Sequence, residues 1–279
     1  MALFISRFAN AHLIDAWVRA FEQTRANPFE QAALVAFFEG ARTLLERRNT
    51  IDDVRREHAW EGAIAGDGRV THGQQMKLYR ATRAFFDEMY TNLSLINGII
   101  SRHYSVFETN FSENAPMLTW LARRYPDLQH ELFTDLERAR LFRAILAHPQ
   151  QFPPYTWSTA TNPSHLTFVV LWGPLGRGKN PVPRGATTSH PGAHLMPGWQ
   201  FEAPDEVSVS NSLLGVGVEV LSEVYASLSA RSPFRRSYSK AEALDVLMPD
   251  LDFSHDRRRV TSEVRADDTI TSNHHVVIR

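Results

Sequence analysis

The chain contains no cysteine, and this absence excludes several kinds of site. Disulfides, thiol nucleophiles and thiolate metal ligands all need that side chain. Secreted domains usually depend on disulfides, so we expect a cytoplasmic protein. The first residues, MALFISRFANAHLIDAW, are interrupted by Arg7, His12 and Asp15 and predict no signal peptide. We find no apolar run of membrane-spanning length, and we expect no membrane partner.

An excess of charge of one sign is also missing. Thirty Lys and Arg side chains face 31 Asp and Glu side chains, which gives a formal net charge of −1. Such a chain has no global attraction to nucleic acid, so any RNA contact needs a local basic patch. Lysine is scarce, with Lys77, Lys179 and Lys240 as its only examples. The positive charge is therefore almost all arginine, whose planar fork suits phosphate and carboxylate.

The hydrophobic residues that the chain does have follow a helical pattern through its first half. The spacing predicts an amphipathic helix over 11–26 and two long helices over 28–65 and 72–108, with an interruption of the first near Asn49. The glycine turn at 66–68 predicts that the long helices form an antiparallel pair. A short helix over 116–125 and another over 127–148 follow. Pro149 ends the last one, because helices rarely continue into proline.

Composition changes after residue 150, where proline, glycine and threonine become frequent. Residues 166–172 are β-branched and aromatic and predict a strand, 173–200 predict a long surface loop, and 206–229 predict a helix. The expected fold is mainly α, a helical bundle with a small strand and loop insertion and a C-terminal helix. Its four segments are an N-terminal helix (1–27), the bundle (28–150), a strand–loop–helix segment packed on the bundle (151–230) and a polar, flexible extension (231–279).

A glycine-rich stretch after the predicted strand is similar to a phosphate-binding P-loop. It reads Gly173-Pro-Leu-Gly-Arg-Gly-Lys-Asn180, so asparagine stands where a P-loop has the hydroxyl that binds magnesium. The helix that a P-loop needs cannot form through Pro181-Val-Pro183. We interpret the stretch as a flexible loop that offers Arg177, Lys179 and Arg184 to a phosphate backbone. A nucleotide-dependent enzyme that uses this loop is a third hypothesis, behind the two developed below.

Histidine pairs offer the other route to a metal site. His190 and His194 are separated by Pro191-Gly192, which excludes a helical pair, and His274-His275 lies in the predicted extension. No acidic third ligand has a suitable spacing. We therefore expect neither a metal nor a cofactor.

The last predicted bundle helix ends in Arg143-Ala-Ile-Leu-Ala-His148. The same Arg-x4–6-His spacing also occurs at Arg7/His12, at Arg123 and Arg124 with His130, and at Arg184/His190. Among these pairs, Arg143 and His148 are distinguished by their place at the end of a helix that follows two long helices. The position of the motif, rather than the motif alone, therefore makes this pair the candidate site.

Over residues 28–150 the chain resembles the HEPN domains (higher eukaryote and prokaryote nucleotide-binding). In that family two long antiparallel helices precede a short helix and a last helix with Arg, four to six residues and His near its end. The resemblance implies a homodimer with a composite active site to which both copies contribute Arg143 and His148. It also implies metal-independent RNA cleavage by attack of the 2′-hydroxyl, as in a toxin or antiphage defence effector.

Further residues are candidates for RNA binding beside this motif. Arg140 lies one helical turn before Arg143, and Arg102, His103 and Tyr104 end the second long helix. Tyr155 and Trp157 follow the motif and offer rings for stacking bases, with ordinary packing as the alternative. Arg177 and Lys179 complete the predicted substrate-binding residues.

One departure from the family pattern leaves a second hypothesis open. Active members often have Asn, Asp or His directly after the arginine, where this chain has Ala144. The alternative to a ribonuclease is a non-catalytic module that dimerises or binds nucleic acid or a protein. For a toxin, the protein partner would be an antitoxin.

Overall fold

The structure is a computed structural model that describes residues 13–65, 71–128, 130–148, 155–161, 167–177, 181–189, 197–231 and 236–247. Within these ranges the protein is mainly helical, with one four-stranded antiparallel sheet. This confirms the expected fold class. The helices are residues 13–22 (α1), Pro28–Ala65 (α2), His72–Arg102 (α3), Tyr104–Phe107 (α4), Asn114–Arg124 (α5), His130–Ala147 (α6), Glu206–Ala230 (α7) and Lys240–Leu247 (α8).

Two long helices begin at reciprocal caps. The Asn27 side chain accepts hydrogen bonds from the backbone N–H groups of Phe29 and Glu30, and the Glu30 carboxylate accepts the N–H of Asn27. Thr71 and Gln74 form the same arrangement at the start of α3. Such caps satisfy N–H groups that have no partner in the first helical turn.

Most helix ends differ by one to four residues from those that the sequence predicts, and two larger differences concern the long helices. The interruption near Asn49 does not occur. Helix α2 continues through it, and the Thr50 hydroxyl donates to the carbonyl of Glu46 one turn earlier instead of capping a new helix. The helix predicted over 72–108 ends instead at Arg102, and α4 starts after His103. Glu108, with a left-handed φ of 54°, then ends α4.

The strands are β1 (Thr156–Thr161), β2 (Thr167–Pro174), β3 (Thr187–Ser189) and β4 (Gly198–Glu202), in the order β1-β2-β4-β3. All neighbours are antiparallel. The strand predicted over 166–172 is confirmed as β2. The surface loop predicted over 173–200 is wrong in part, since it includes β3 and the beginning of β4. Those strands are three and five residues long, too short for a clear alternating pattern.

The chain divides into two compact units, and α2, α3, α6 and α7 contribute residues to both. The first unit holds the described residues up to 45, residues 91–133 and the described residues from 211 onward. Its core includes Trp17, which stacks on Phe37 with ring centroids 6.3 Å apart. The Trp17 indole donates to the carbonyl of Leu247 at 3.0 Å and so ties α8 to this core. Part of the segment expected as a flexible extension is therefore a packed helix, while residues 248–279 lie outside the described residues.

The second unit holds residues 46–90 and 134–210, and it contains the sheet. The buried rings of Trp199 and Phe201 point to the same side of β4, and Phe201 lies against Phe142 of α6, with centroids 5.3 Å apart. Phe142 in turn contacts Phe86 of α3 at 4.9 Å. These aromatic contacts pack the sheet on α6 and α3.

One described helix, α7, is long and apolar enough to cross a membrane by length and composition, contrary to our expectation that no run would be. In the structure, 72% of its most apolar 18-residue window is buried within the fold. An all-round apolar surface is also what a core helix requires.

Candidate functional site

Arg143 of α6 is held by two residues of α3 within the second unit. Its Nε donates to Oδ1 of Asp87 at 3.1 Å, and its guanidinium carbon lies 4.4 Å from the centroid of the Tyr90 ring. The side chain is 23% exposed. A carboxylate and an aromatic face thus fix the guanidinium while part of the side chain remains accessible to solvent.

His148 is the first residue after α6. Its backbone N–H donates to the carbonyl of Ala144 at 3.0 Å, so the helical hydrogen-bond pattern continues through it. Its side chain is exposed. Five residues of helix turn through about 500°, and the side chains of Arg143 and His148 therefore leave α6 about 140° apart.

A second arginine shares the Asp87 carboxylate. Arg83, one turn before Asp87 on α3, places its Nε 3.8 Å from Oδ2, and its side chain is half exposed. Arg83, Arg143 and Asp87 together carry one positive charge. This group therefore keeps a local attraction for an anion although the chain as a whole is nearly neutral.

Arg140 has a different environment from Arg143. Its guanidinium donates to both carboxylate oxygens of Glu137, at 2.7 and 2.8 Å. Arg184, at the exposed tip of the turn before β3, lies 3.5 Å from the same carboxylate. Glu137 therefore balances part of the positive charge of Arg140 and Arg184, which the sequence predicts to contact RNA. Arg177 is exposed after β2, and Lys179 lies outside the described residues.

Tyr155 and Trp157 lie against α3. The rings of Trp157 and Tyr79 are stacked, with centroids 4.5 Å apart and an angle of 15° between planes. His72 is stacked near the same indole at 6.2 Å. Burial, together with the hydrogen bond and proximity of Tyr79, raises the pKa of Tyr155 to about 12, so its hydroxyl stays protonated at neutral pH.

Four residues of this group are not among the candidates predicted from the sequence. Tyr79, Arg83, Asp87 and Tyr90 are spaced three or four positions apart on α3. That spacing places them on one helical face, and it was visible in the sequence. It is overshadowed by the stronger apolar repeat on the other side of the same helix.

The three other candidates, Arg102, His103 and Tyr104, belong to the first unit. Arg102 lies 5.8 Å from the Phe29 ring centroid, and Tyr104 is 56% exposed. His103 is buried, with Nδ1 3.8 Å from the Glu30 carboxylate. Burial lowers the pKa of His103 and outweighs the opposing effect of Glu30, which makes this ring a poor match for an accessible proton-transfer group.

Two alternative sites were considered from the sequence, a P-loop and a histidine metal site, and neither is found among the described residues. The stretch after β2 leads through residues 181–186 into β3, so the helix that a P-loop requires does not follow it. The described ranges contain no cluster of three His, Asp or Glu side chains suited to a metal ion. His190, His194, His274 and His275 lie outside those ranges.

Comparisons with family models, with curated proteins and with solved structures give no match. The features that bear on function are therefore the helix order, the motif at the end of α6 and the contacts around Arg143.

Proposed function

We propose that this protein is a metal-independent endoribonuclease of the HEPN type that uses Arg143 and His148. The observation that supports this most is the setting of Arg143, which Asp87 and Tyr90 fix on α3 while 23% of its side chain stays exposed. An arginine with a fixed orientation can hold phosphate oxygens without further ordering of its long side chain. His148 lies exposed one turn farther along.

The chemistry that these two side chains suit is intramolecular transesterification. The RNA 2′-oxygen attacks the adjacent phosphorus while a histidine accepts the 2′-hydroxyl proton. The bond from phosphorus to the 5′-oxygen breaks, that oxygen takes a proton from water, and the protonated histidine returns its proton to the solvent. Arginine stabilises the charge that builds on the phosphate oxygens. The products are a 2′,3′-cyclic phosphate and a 5′-hydroxyl.

The angle between the two side chains favours a site shared by two copies of the chain. Because Arg143 and His148 leave α6 about 140° apart, one helix presents them in different directions. A second copy that meets the first along α6 would bring the histidine of one chain to the arginine of the other. A cytoplasmic homodimer, held in check by a protein partner where it serves as a toxin or defence effector, agrees with this proposal.

The test uses the purified full chain and single-stranded RNA in the presence of EDTA. We expect cleavage with cyclic phosphate ends, and a loss of at least about 100-fold in His148→Ala, since a positioned proton-transfer group contributes that much. His130→Ala is the control, because His130 is the exposed first residue of the same helix. Unchanged cleavage in His148→Ala, or cleavage only with divalent metal, would overturn the assignment.

A second function is favoured by the same ion pair. Asp87 already balances the charge of Arg143, and Ala144 supplies no polar group beside it. Both features suit a non-catalytic module that dimerises or binds a partner. If the protein has that function, RNA incubated with it in EDTA stays intact. The affinity for RNA or for the partner is then unchanged in His148→Ala.

A further inference from the structure

One face of α3 in the second unit carries a continuous set of polar and aromatic side chains. Its members recur every three or four residues and are all exposed or half-buried: His72, Met76, Tyr79, Arg83, Asp87 and Tyr90. Other positions of the same segment are fully buried, among them Leu78, Phe85 and Met89. We call the six accessible positions the α3 stripe.

Aromatic rings lie at one end of the α3 stripe. Trp157 of β1 stacks on Tyr79, and Tyr155 is hydrogen-bonded to the same tyrosine. Trp157 and Tyr79 are only half-buried, whereas Trp199, the packing tryptophan of the sheet, is 0% exposed. The stacked pair therefore still presents ring surface to solvent.

The other end of the α3 stripe combines an aromatic ring with positive charge. Tyr90 lies under the guanidinium of Arg143, and Asp87 joins Arg143 to Arg83. Tyr90 and Tyr79 are eleven residues apart, which corresponds to about 16 Å along the helix. Two aromatic positions thus flank the arginines over a length that accommodates a few nucleotides.

We infer that the α3 stripe binds a single strand of RNA, with bases against Tyr90 and the Tyr79–Trp157 pair and a phosphate at Arg83. Rings stack on bases of any identity, and guanidinium groups bind the phosphates between them. A duplex would hide its base faces, so the arrangement suits unpaired RNA. The choice of RNA rests on the proposed ribonuclease function, and the position of Arg143 places the scissile phosphate at the Tyr90 end.

The experiment measures binding without cleavage. A short, fluorescently labelled RNA with every 2′-hydroxyl methylated lacks the nucleophile, so anisotropy with the full chain reports affinity alone. We expect Tyr79→Leu to weaken binding by roughly tenfold, the factor that corresponds to one lost stacking contact. Tyr79→Phe keeps the ring but loses the hydrogen bond with Tyr155, so it should weaken binding clearly less than Tyr79→Leu does.

The charge at Arg83 is tested by its salt dependence. Arg83→Ala should weaken binding and reduce the slope of log affinity against log salt by about 0.7, the value for one phosphate contact on a single strand. Arg56→Ala is the control, because Arg56 is an exposed arginine of α2 paired with Asp53 and its loss changes net charge equally. Equal effects of the two variants would overturn the inference.

The outcomes separate this inference from the proposed function. If the unmodified RNA is cleaved but Tyr79→Leu and Arg83→Ala alter neither binding nor cleavage, the α3 stripe is not the RNA site and the ribonuclease proposal stands. If RNA is bound through the α3 stripe but never cleaved, the ribonuclease proposal fails and the α3 stripe is still an RNA-binding surface. Duplex RNA that binds as tightly as the single strand would overturn the role of stacking.

Discussion

Arg143 and Asp87 join α6 to α3 through a hydrogen bond of 3.1 Å between Nε and Oδ1. In the proposed reaction the carboxylate has two opposing effects. It orients the guanidinium, which favours catalysis, and it repels the RNA phosphate, which weakens binding. The orientation of the guanidinium affects kcat, and the repulsion of the phosphate affects KM.

We predict that Asp87→Asn lowers both kcat and KM for cleavage of a single-stranded RNA. The loss of the charged partner lets Arg143 leave its position, so kcat should fall by about tenfold, which corresponds to about 1.4 kcal/mol. Removal of the negative charge should at the same time tighten RNA binding and lower KM. A rise in KM with unchanged kcat would show that Asp87 does not position Arg143.

The geometry of α6 leads to a prediction about mixtures of inactive proteins. Arg143→Ala and His148→Ala homodimers should each be inactive, but their mixture should recover cleavage, because one of the two sites in a heterodimer then contains both intact residues. The measurement is RNA cleavage after subunit exchange, with each variant alone as the control. If the two residues act within one chain, the mixture stays inactive.

The sequence predicted the bundle well because its signals are long and repeated. The apolar positions of α3 recur along its 31 residues, and proline or glycine marks the neighbouring helix ends. Three of the four strands escaped prediction for the opposite reason. β3 has three residues, and in β4 the alternation is limited to Trp199 and Phe201.

The candidate site was predictable only in part, since a motif fixes sequence spacing and leaves open which distant residues it meets. Arg143 and His148 could be named from their place before Pro149. Asp87 lies 56 positions from Arg143 and cannot be inferred from the motif. The separation of Arg102 and His103 into the first unit likewise depends on how the chain divides, which the helical pattern does not encode.

The second unit contains a buried ion pair whose loss should be costly. Nη2 of Arg55 donates to both oxygens of Glu206, at 2.9 and 3.1 Å, and its Nε donates to the carbonyl of Thr167 at 2.7 Å. Glu206 is 2% exposed. Burial raises the pKa of Glu206 and so opposes its charged form. In Glu206→Gln, Arg55 loses a charged acceptor but keeps Asp52 at 3.7 Å, so we expect a loss of about 1.5–3 kcal/mol in the free energy of unfolding, the range for a hydrogen bond to a charged group.

Chemical denaturation checks this value. The control is Glu57→Gln, which breaks an exposed ion pair with Lys77 and should leave the free energy of unfolding nearly unchanged. A loss no larger for Glu206→Gln than for Glu57→Gln would contradict the structural role of the Arg55–Glu206 pair.

We predict that the free energy of unfolding falls in mild acid, because His103 is buried. Burial lowers the pKa of His103 below its ordinary value of 6.5, so the unfolded chain binds the proton more readily. Above about pH 6.5, His103 therefore does not lower the free energy of unfolding. Below that pH, the free energy of unfolding decreases as the pH falls towards the pKa of His103 in the folded state. Neither ring nitrogen has a hydrogen-bond partner among the described residues, so His103→Leu should preserve the fold and remove this decrease.

Thermal unfolding from pH 7.5 to 3.5 separates His103 from its neighbour Glu30. Burial works to raise the pKa of Glu30, but the Asn27 N–H and Arg231 outweigh it and hold the pKa below 4.5. The stability from Glu30 is thus present above about pH 4.5 and lost below it, and His103→Leu should retain that second decrease. An unchanged profile between pH 7.5 and 5 in His103→Leu would contradict the prediction.

Two helical glycines of the first unit should respond in opposite ways to alanine. A Cβ at Gly217 of α7 would lie 2.8 Å from the buried Phe37 ring, whereas a Cβ at Gly98 of α3 would meet no atom within 4 Å. Gly217→Ala should cost about 1–3 kcal/mol, because the Phe37 ring is fully buried and has little room to move. Gly98→Ala should raise the free energy of unfolding by about 0.5–1 kcal/mol, since alanine loses less backbone entropy than glycine when the helix forms. Paired denaturation curves test both signs, and a stabilising Gly217→Ala would show that α7 does not pack this closely on Phe37.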